Sequence, residues 1–282
     1  MLTPLQVAAG WFAVRPLLRE QTASRGRLAR VAGVLDGERH LLDIAFQPIV
    51  DIVSGRVAGV EALARFVTEP PRPPDQWFAD AESVGRGLEL ELLAVETALQ
   101  RAPDLPSHPY IAINISPTTL TSPLLLPVLL NSDVAPYRII LEVTEHATVE
   151  DYPTVRRARE KLRRHSIRVA VDDAGSGSAS FRHIVALAPD VIKLDRSLVT
   201  GIDRDPATQA LVRAVLAFAV QSNAIVVGEG VETTDELCVL RDLGVCMVQG
   251  YLLGRPTTRH IDWQTWDLGR ATARRPNISR AD

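Results

Sequence analysis

Eight short runs rich in Val, Ile and Leu recur through the chain, and stretches with helical spacing stand between most of them. In order they read DIAFQPIV, VAGVEAL, YIAINIS, RIILEVT, IRVAVDD, VIKLD, AIVVGEG and VCMVQGY. Most are continuously apolar, as strands buried on both faces must be. Helical patterns at 87–101, 151–164, 206–222 and 233–243 supply covering elements. The second of these is rich in arginine, and the third carries an apolar stripe of Leu211, Val215 and Phe218. Eight strands alternating with helices predict an α/β fold, a TIM-like (β/α)8 barrel rather than an open sheet.

Residues 1–40 read as an N-terminal helical segment, with Leu18, Leu28, Val31 and Val34 at roughly helical spacing. It is either a helix packed on the main domain or a signalling or dimerisation helix. PPRPPD, 70–75, predicts a long loop over one barrel face rather than a domain boundary. The expected plan is a helical segment at 1–40, a barrel domain at 41–270 and a tail at 271–282.

A length of 282 residues with 46% hydrophobic and 23% charged side chains is that of an ordinary globular chain. A formal charge of -3 supplies no basic field for duplex nucleic acid, although a small phosphorylated ligand remains compatible. Cys238 and Cys246 have no CxxC spacing and read as two buried, reduced thiols. No basic leader followed by an apolar stretch opens the sequence, and no apolar run approaches the ~20 residues of a membrane span. A cytoplasmic location is the expectation.

The ends of the runs carry the chemistry. The second ends in Glu61, the third in Asn114, and the fourth in Glu142 with Glu145 three residues on. The fifth ends in Asp172 and Asp173, the sixth carries Lys193 and Asp195, the seventh Glu229 and Glu232, and the eighth Gln249. In a barrel these ends converge on one mouth. A single Asp there commonly caps the next helix, but six polar strand ends together are a different matter. So many carboxylates would repel one another by several kcal/mol unless cations neutralised them, and Lys193 is only one. All are hard oxygen donors, which favours Mg²⁺, Mn²⁺ or Ca²⁺ over zinc. Two ions sharing a bridging Asp would suit phosphodiester hydrolysis. His146 and His183 lie off the pattern and read as surface or supporting residues.

VDDAGSGSAS, 171–180, admits three readings: a phosphate-cradling loop, a metal site at a barrel mouth, or a linker. No GK[ST] follows, and two carboxylates at its head would repel phosphate, which excludes the first. The two Asp residues close an apolar strand and belong to the convergent set, which excludes the third.

FQPIVDIVSGRVAGVEALARF, followed in order by INIS, LEVTE, VDD, IKLD, GEGVE and QGYLLGRP, resembles the EAL domain over roughly residues 40–260. The resemblance implies hydrolysis of cyclic di-GMP to linear 5′-pGpG, a barrel whose first strand runs antiparallel to its neighbour, and a homodimer. It implies metal ligands at Glu61, Asn114, Glu142, Asp172, Asp173 and Glu229, holding two Mg²⁺ or Mn²⁺ ions. Lys193 would orient or activate the attacking water, with Glu229 the other candidate base. Glu145 would hold the loop after the fifth strand, and Glu232 and Gln249 would support the metal and water shell. Gln47, Leu63 and Arg65 would contact the nucleotide, Arg65 through a bidentate fork on phosphate.

The fifth-strand loop departs from the family's DDFGTGYSS. Ala174, Ser176, Ser178 and Ala179 replace Phe, Thr, Tyr and Ser, while Gly175 and Gly177 remain. Looser loop order, weaker metal affinity or altered regulation would follow, unless small residues pack as well against a local partner. Phe66 stands where Trp is common, with little effect expected. No GGDEF motif occurs, which argues against cyclic di-GMP synthesis. The segment 1–40 resembles the connector between sensory modules and catalytic domains, so an upstream sensor or partner protein is compatible. A catalytically weak or inactive cyclic di-GMP receptor is the alternative function. A different metal-dependent barrel enzyme, enolising a carbonyl with Lys193 as base, is the third.

Overall fold

The computed structural model describes residues 22–37, 41–105, 108–143, 151–175 and 180–264, with the side chains of Asp173, 180–183 and Gln264 outside the description. The chain divides into two compact units. One comprises the described residues up to Asp43 together with Ala64–Ala94; the other comprises Ile44–Leu63 and the described residues from Val95 onward.

In the first unit a helix over 22–36 (α1) is followed later by α2 (Pro74–Ser83) and the start of α3 (Gly87–Arg101). Val31 and Val34 are fully buried in a cluster with Trp77, Ala81, Leu90 and Leu93. Leu28, expected on the same face, is 45% exposed. Phe66 stacks on Trp77 at 4.7 Å. The PPRPPD loop is shorter than expected, because Pro74 opens α2. The first helical position needs no N–H and favours the fixed proline φ.

Eight strands close the barrel in sequence order: β1 (Leu42–Asp51), β2 (Val57–Phe66), β3 (Tyr110–Ile115), β4 (Ile139–Val143), β5 (Arg168–Ala174), β6 (Val191–Leu194), β7 (Ile225–Gly228) and β8 (Met247–Gln249). From β2 to β8 neighbouring strands pair in parallel, and β1 pairs with β8 antiparallel, with Ile49 opposite Gln249. The expected (β/α)8 barrel with an antiparallel first strand is the observed fold. Its strands are mostly apolar because both faces are covered: β4 and β6 are buried at every position, Glu142 and Lys193 included.

The helices begin and end on chemical signals in the sequence. After α4 (Pro117–Thr121) and α5 (Leu125–Leu130) comes α6 (Tyr152–Arg164), capped by Asp151, which accepts from the Thr154 N–H. Beyond α7 (Ser180–Leu187), Asp205 caps α8 (Pro206–Ser222) through the N–H groups of Ala207 and Thr208, and Asn223 ends it in the left-handed region. Thr233 and Glu236 form a reciprocal capping box on α9 (Thr234–Leu243). A short α10 (His260–Gln264) follows, with Trp263 buried edge-on to Phe46 at 5.1 Å.

The apolar stripe of α8 is corrected by one residue. Val212, Val215 and Ala219 face the core, whereas Leu211 is half-exposed. A stripe chosen by side-chain bulk misses the small and β-branched residues that pack a helix closely. The two cysteines are unpaired as expected, but not buried: Cys238 is intermediate and Cys246, in the turn before β8, is exposed.

β5 departs from regular pairing. Val171 stands opposite Ile192 and Ala174 opposite Leu194, so the segment through Asp172 and Asp173 carries one residue more than β6. Such a bulge re-aims side chains near a site. Ala174 is buried, and Gly175 follows with φ 108°, where a Cβ would lie 2.3 Å from Leu198 Cδ1. Ser176, Gly177, Ser178 and Ala179, the remainder of the altered loop, lie outside the described residues, as do residues 1–21 and the tail 271–282.

Candidate active site

Lys193 on β6 is the centre of the barrel mouth. Its side chain is 1% exposed, and Nζ lies 2.8 Å from Glu142 Oε2, 3.0 Å from Asp172 Oδ1, 2.5 Å from Glu229 Oε1 and 3.7 Å from Glu61 Oε2. Four strands therefore deliver one carboxylate each to one ammonium. An ammonium has three protons and cannot serve four acids. Nζ donates a well-directed hydrogen bond to Glu142, whereas Asp172 Oδ1 and Glu229 Oε1 are ion-paired but accept no hydrogen bond of proper geometry.

Around Glu61 a chain of amides fixes the carboxylate. Asn114 Nδ2 donates to Oε1 at 2.8 Å and Gln249 Nε2 to Oε2 at 2.6 Å. Gln249 Nε2 also reaches Gln47 Oε1 at 2.9 Å, and Gln47 Nε2 donates to the Gly254 carbonyl at 3.0 Å. Each amide nitrogen thus points at oxygen, and its orientation is set by what it donates to.

Burial and crowding govern the charges. Desolvation pushes Glu142 well above the ordinary carboxylate value; Lys193 counteracts it, and Glu61, Asp172 and Glu229 add repulsion. The same balance raises Glu229 to about 8. Burial alone would pull the Lys193 ammonium down, but the four acids hold it well above an ordinary lysine.

The donor set fits hard divalent cations. Glu61, Glu142, Asp172 and Glu229 supply carboxylate oxygens, two of them without a hydrogen bond, and their charge exceeds what Lys193 neutralises. Among the described residues, no group of three or more His, Cys, Asp or Glu side chains stands in closed metal-binding geometry. The four acids gather on the ammonium instead.

Beside this cluster lies a cleft of about 240 Å³, whose lining includes Gln47, Glu61, Leu63, Lys193, Glu232 and Gln249. Arg196, Gly230, Gly250 and Tyr251 also line it and were not singled out in the sequence. Their signal was adjacency: Arg196 follows IKLD, and Tyr251 lies two residues beyond Gln249. Arg196 Nη2 pairs with Glu232 Oε1 at 2.8 Å on the rim. Glu236 holds the segment behind them, accepting the N–H groups of Gly201, Glu232 and Thr233, each at 3.0 Å.

The remaining expected residues fall elsewhere. Asp195 is not part of the convergent set; its carboxylate accepts from the Ser197 N–H and caps a short 3₁₀ turn. Arg65 belongs to the first unit, where Nη1 donates to the Ala64 carbonyl at 2.8 Å. Asp173 is in the β5 bulge with its side chain outside the description, and Glu145 and His146 lie outside the described residues.

The barrel and the acid cluster together fit one family, shown by its matching residues. The chain belongs to the EAL domain family, whose model matches residues 34–256. It is 34% identical over 231 residues to an uncharacterized signaling protein of Caulobacter vibrioides, covering 79% of this chain and 28% of that protein. It is 31% identical over 245 residues to the probable cyclic di-GMP phosphodiesterase PdeD of Escherichia coli, covering 82% of this chain and 44% of that one. The Klebsiella pneumoniae BlrP1 manganese/cyclic di-GMP complex superposes with a TM-score of 0.70 at 31% identity, covering 79% of this chain and 57% of that one. The chain thus spans less than half the length of these two curated relatives. No helix among the described residues is long and apolar enough to cross a membrane.

Proposed function

We propose that the chain is a divalent-metal-dependent phosphodiesterase that hydrolyses cyclic di-GMP to linear 5′-pGpG. The observation that carries this reading is the set of four carboxylates, three buried and Glu229 partly so, crowded on Lys193 beside an open cleft. PdeD and the BlrP1 complex, whose names include cyclic di-GMP, support the substrate.

Glu61, Asn114, Glu142, Asp172, Asp173 and Glu229 would hold two Mg²⁺ or Mn²⁺ ions. Bound there, the ions supply the positive charge that lets a phosphodiester enter and that acidifies water. Lys193 orients the attacking water, and Glu229 is the alternative base. Gln249 and Glu232 would support the shell, and Glu145, outside the described residues, would act on the loop after β5. Gln47, Leu63 and Arg65 contact the nucleotide. Water oxygen bonds to phosphorus, the bond to the 3′ oxygen breaks, and that oxygen leaves with a proton.

We also propose a helical connector at 1–40, a barrel domain at 41–270 and a tail at 271–282, working as a cytoplasmic homodimer under an upstream sensor or partner. Incubating purified chain with cyclic di-GMP and Mn²⁺ or Mg²⁺ tests the activity. Formation of pGpG that chelator stops supports the enzyme. Saturable binding without turnover supports the receptor alternative instead.

A further inference from the structure

We propose that the exposed arginine face of α6 docks the barrel on an anionic lipid headgroup layer. Between 156 and 164 the helix carries Arg156, Arg157, Arg159, Lys161, Arg163 and Arg164 against the single acid Glu160. Arg159 is committed to Asp190 at 3.0 Å, and Arg157 donates to Thr154 Oγ1 at 2.6 Å. Arg156, Lys161, Arg163 and Arg164 are exposed and have no acidic partner among the described residues. In a chain of net charge -3, this is a concentrated positive face.

Helix stability does not account for it. Cations in the last turn suit the helix dipole, which covers Lys161, Arg163 and Arg164. Arg156 and Arg157 lie nearer the positive end and gain nothing from it. Arg157 with Lys161, and Arg159 with Arg163, are like charges four residues apart, which opposes helix formation. Arg157, Lys161 and Arg164 share one face at i, i+4 and i+7.

The geometry selects the partner. Val155 and Leu162 are buried against the barrel, so the helix does not insert into the acyl region; it presents only its polar face. From Arg157 to Arg164 the row is about 10 Å long on a convex surface, which suits a flat charged layer. Duplex binding calls for a wider field than this chain carries. At the C-terminal end of α6, Arg168 opens β5 and donates to the carbonyl of Tyr137 at 3.4 Å. Tyr137 is 65% exposed, an aromatic of the kind that settles at headgroup level beside basic residues. Tyr137 and Arg168 lie where β4 and β5 begin, the end opposite Lys193, and the arginine row runs along α6 toward that end.

The test is sedimentation of the full chain with vesicles of phosphatidylcholine alone and of equal parts phosphatidylcholine and phosphatidylglycerol. The chain is expected to sediment with the mixed vesicles only, and to be released by high salt. Each basic group near an anionic surface adds about fivefold to partitioning, so Arg157→Ala/Lys161→Ala/Arg164→Ala lowers it roughly 100-fold. Arg157→Lys/Arg164→Lys retains binding, and an unchanged circular dichroism melt of each variant excludes unfolding. No binding to mixed vesicles at low salt, equal binding by the triple variant, or capture of a DNA duplex in place of vesicles would each overturn the proposal.

Discussion

Gln249 Nε2 donates to Glu61 Oε2 at 2.6 Å, tying the last strand of the barrel to the second across the antiparallel β1. The same nitrogen holds Gln47, so one amide fixes both a proposed metal ligand and a proposed nucleotide contact. Outer partners of this kind typically contribute about 10–100-fold in metal affinity or activity. Gln249→Ala is therefore expected to lower kcat/KM for cyclic di-GMP within that range and to raise the Mn²⁺ concentration for half-maximal rate. Unchanged metal dependence would show that Glu61 does not rely on the amide.

Lys193→Met removes the cation buried among the four acids and leaves them facing each other. Breaking a buried ion pair from one side costs about 3–5 kcal/mol, so the chelated variant is expected to melt well below the parent. Added Mn²⁺ replaces the missing charge, and should raise the variant's Tm more than the parent's while hydrolysis stays abolished. Equal metal-induced shifts in the two melts would contradict the reading of the acids as a metal site.

Glu236 gives the pH dependence. Burial disfavours its charge, but the N–H groups of Gly201, Glu232 and Thr233 outweigh burial and hold it below its ordinary value of 4.5. A carboxylate lowered in the folded state stabilises fully above the unfolded value, and the contribution fades as pH falls through the folded one. Glu236→Gln is expected to reduce unfolding free energy by about 1–3 kcal/mol near neutral pH. Urea titrations at falling pH should show the gap between parent and variant closing; a constant gap would exclude the charged acceptor.

Gly250 allows close backbone contact. A Cβ there would meet Val231 O at 2.1 Å and Val231 N at 2.3 Å, atoms that bond to Leu252 N and Gln249 O respectively. Backbone cannot give way as a side chain can. Gly250→Ala should destabilise by about 1–3 kcal/mol or more, and should displace the segment that carries Glu229 and Glu232. A variant with parental stability and activity would refute this.

Much of the barrel was legible because its strands are covered on both faces, and continuous apolar runs such as IILEV have few other uses. Helices starting at Asp-Pro and Thr-x-x-Glu announced themselves at Asp205 and Thr233. Short elements did not: α5 is apolar, LLPVLL, and no periodicity emerges in six residues. Strand-end position grouped Glu61, Glu142, Asp172 and Glu229, which do converge on Lys193, but did not show the difference between Asp172 and Asp195. Both follow an apolar run; only the pairing shows that one faces Lys193 and the other caps a turn. Arg196 and Tyr251 escaped because a cleft wall depends on neighbours distant in sequence.

The bulge in β5 sets sheet regularity against chemistry. Deleting one residue between Val171 and Ala174 would let the ladder with β6 run without interruption, a change the sheet itself should welcome. The same deletion would remove Asp172 or Asp173, the two acids that close this strand. At this strand the chain has accepted a less regular scaffold to keep an acid aimed inward, so selection for thermal stability alone would tend to erase the site.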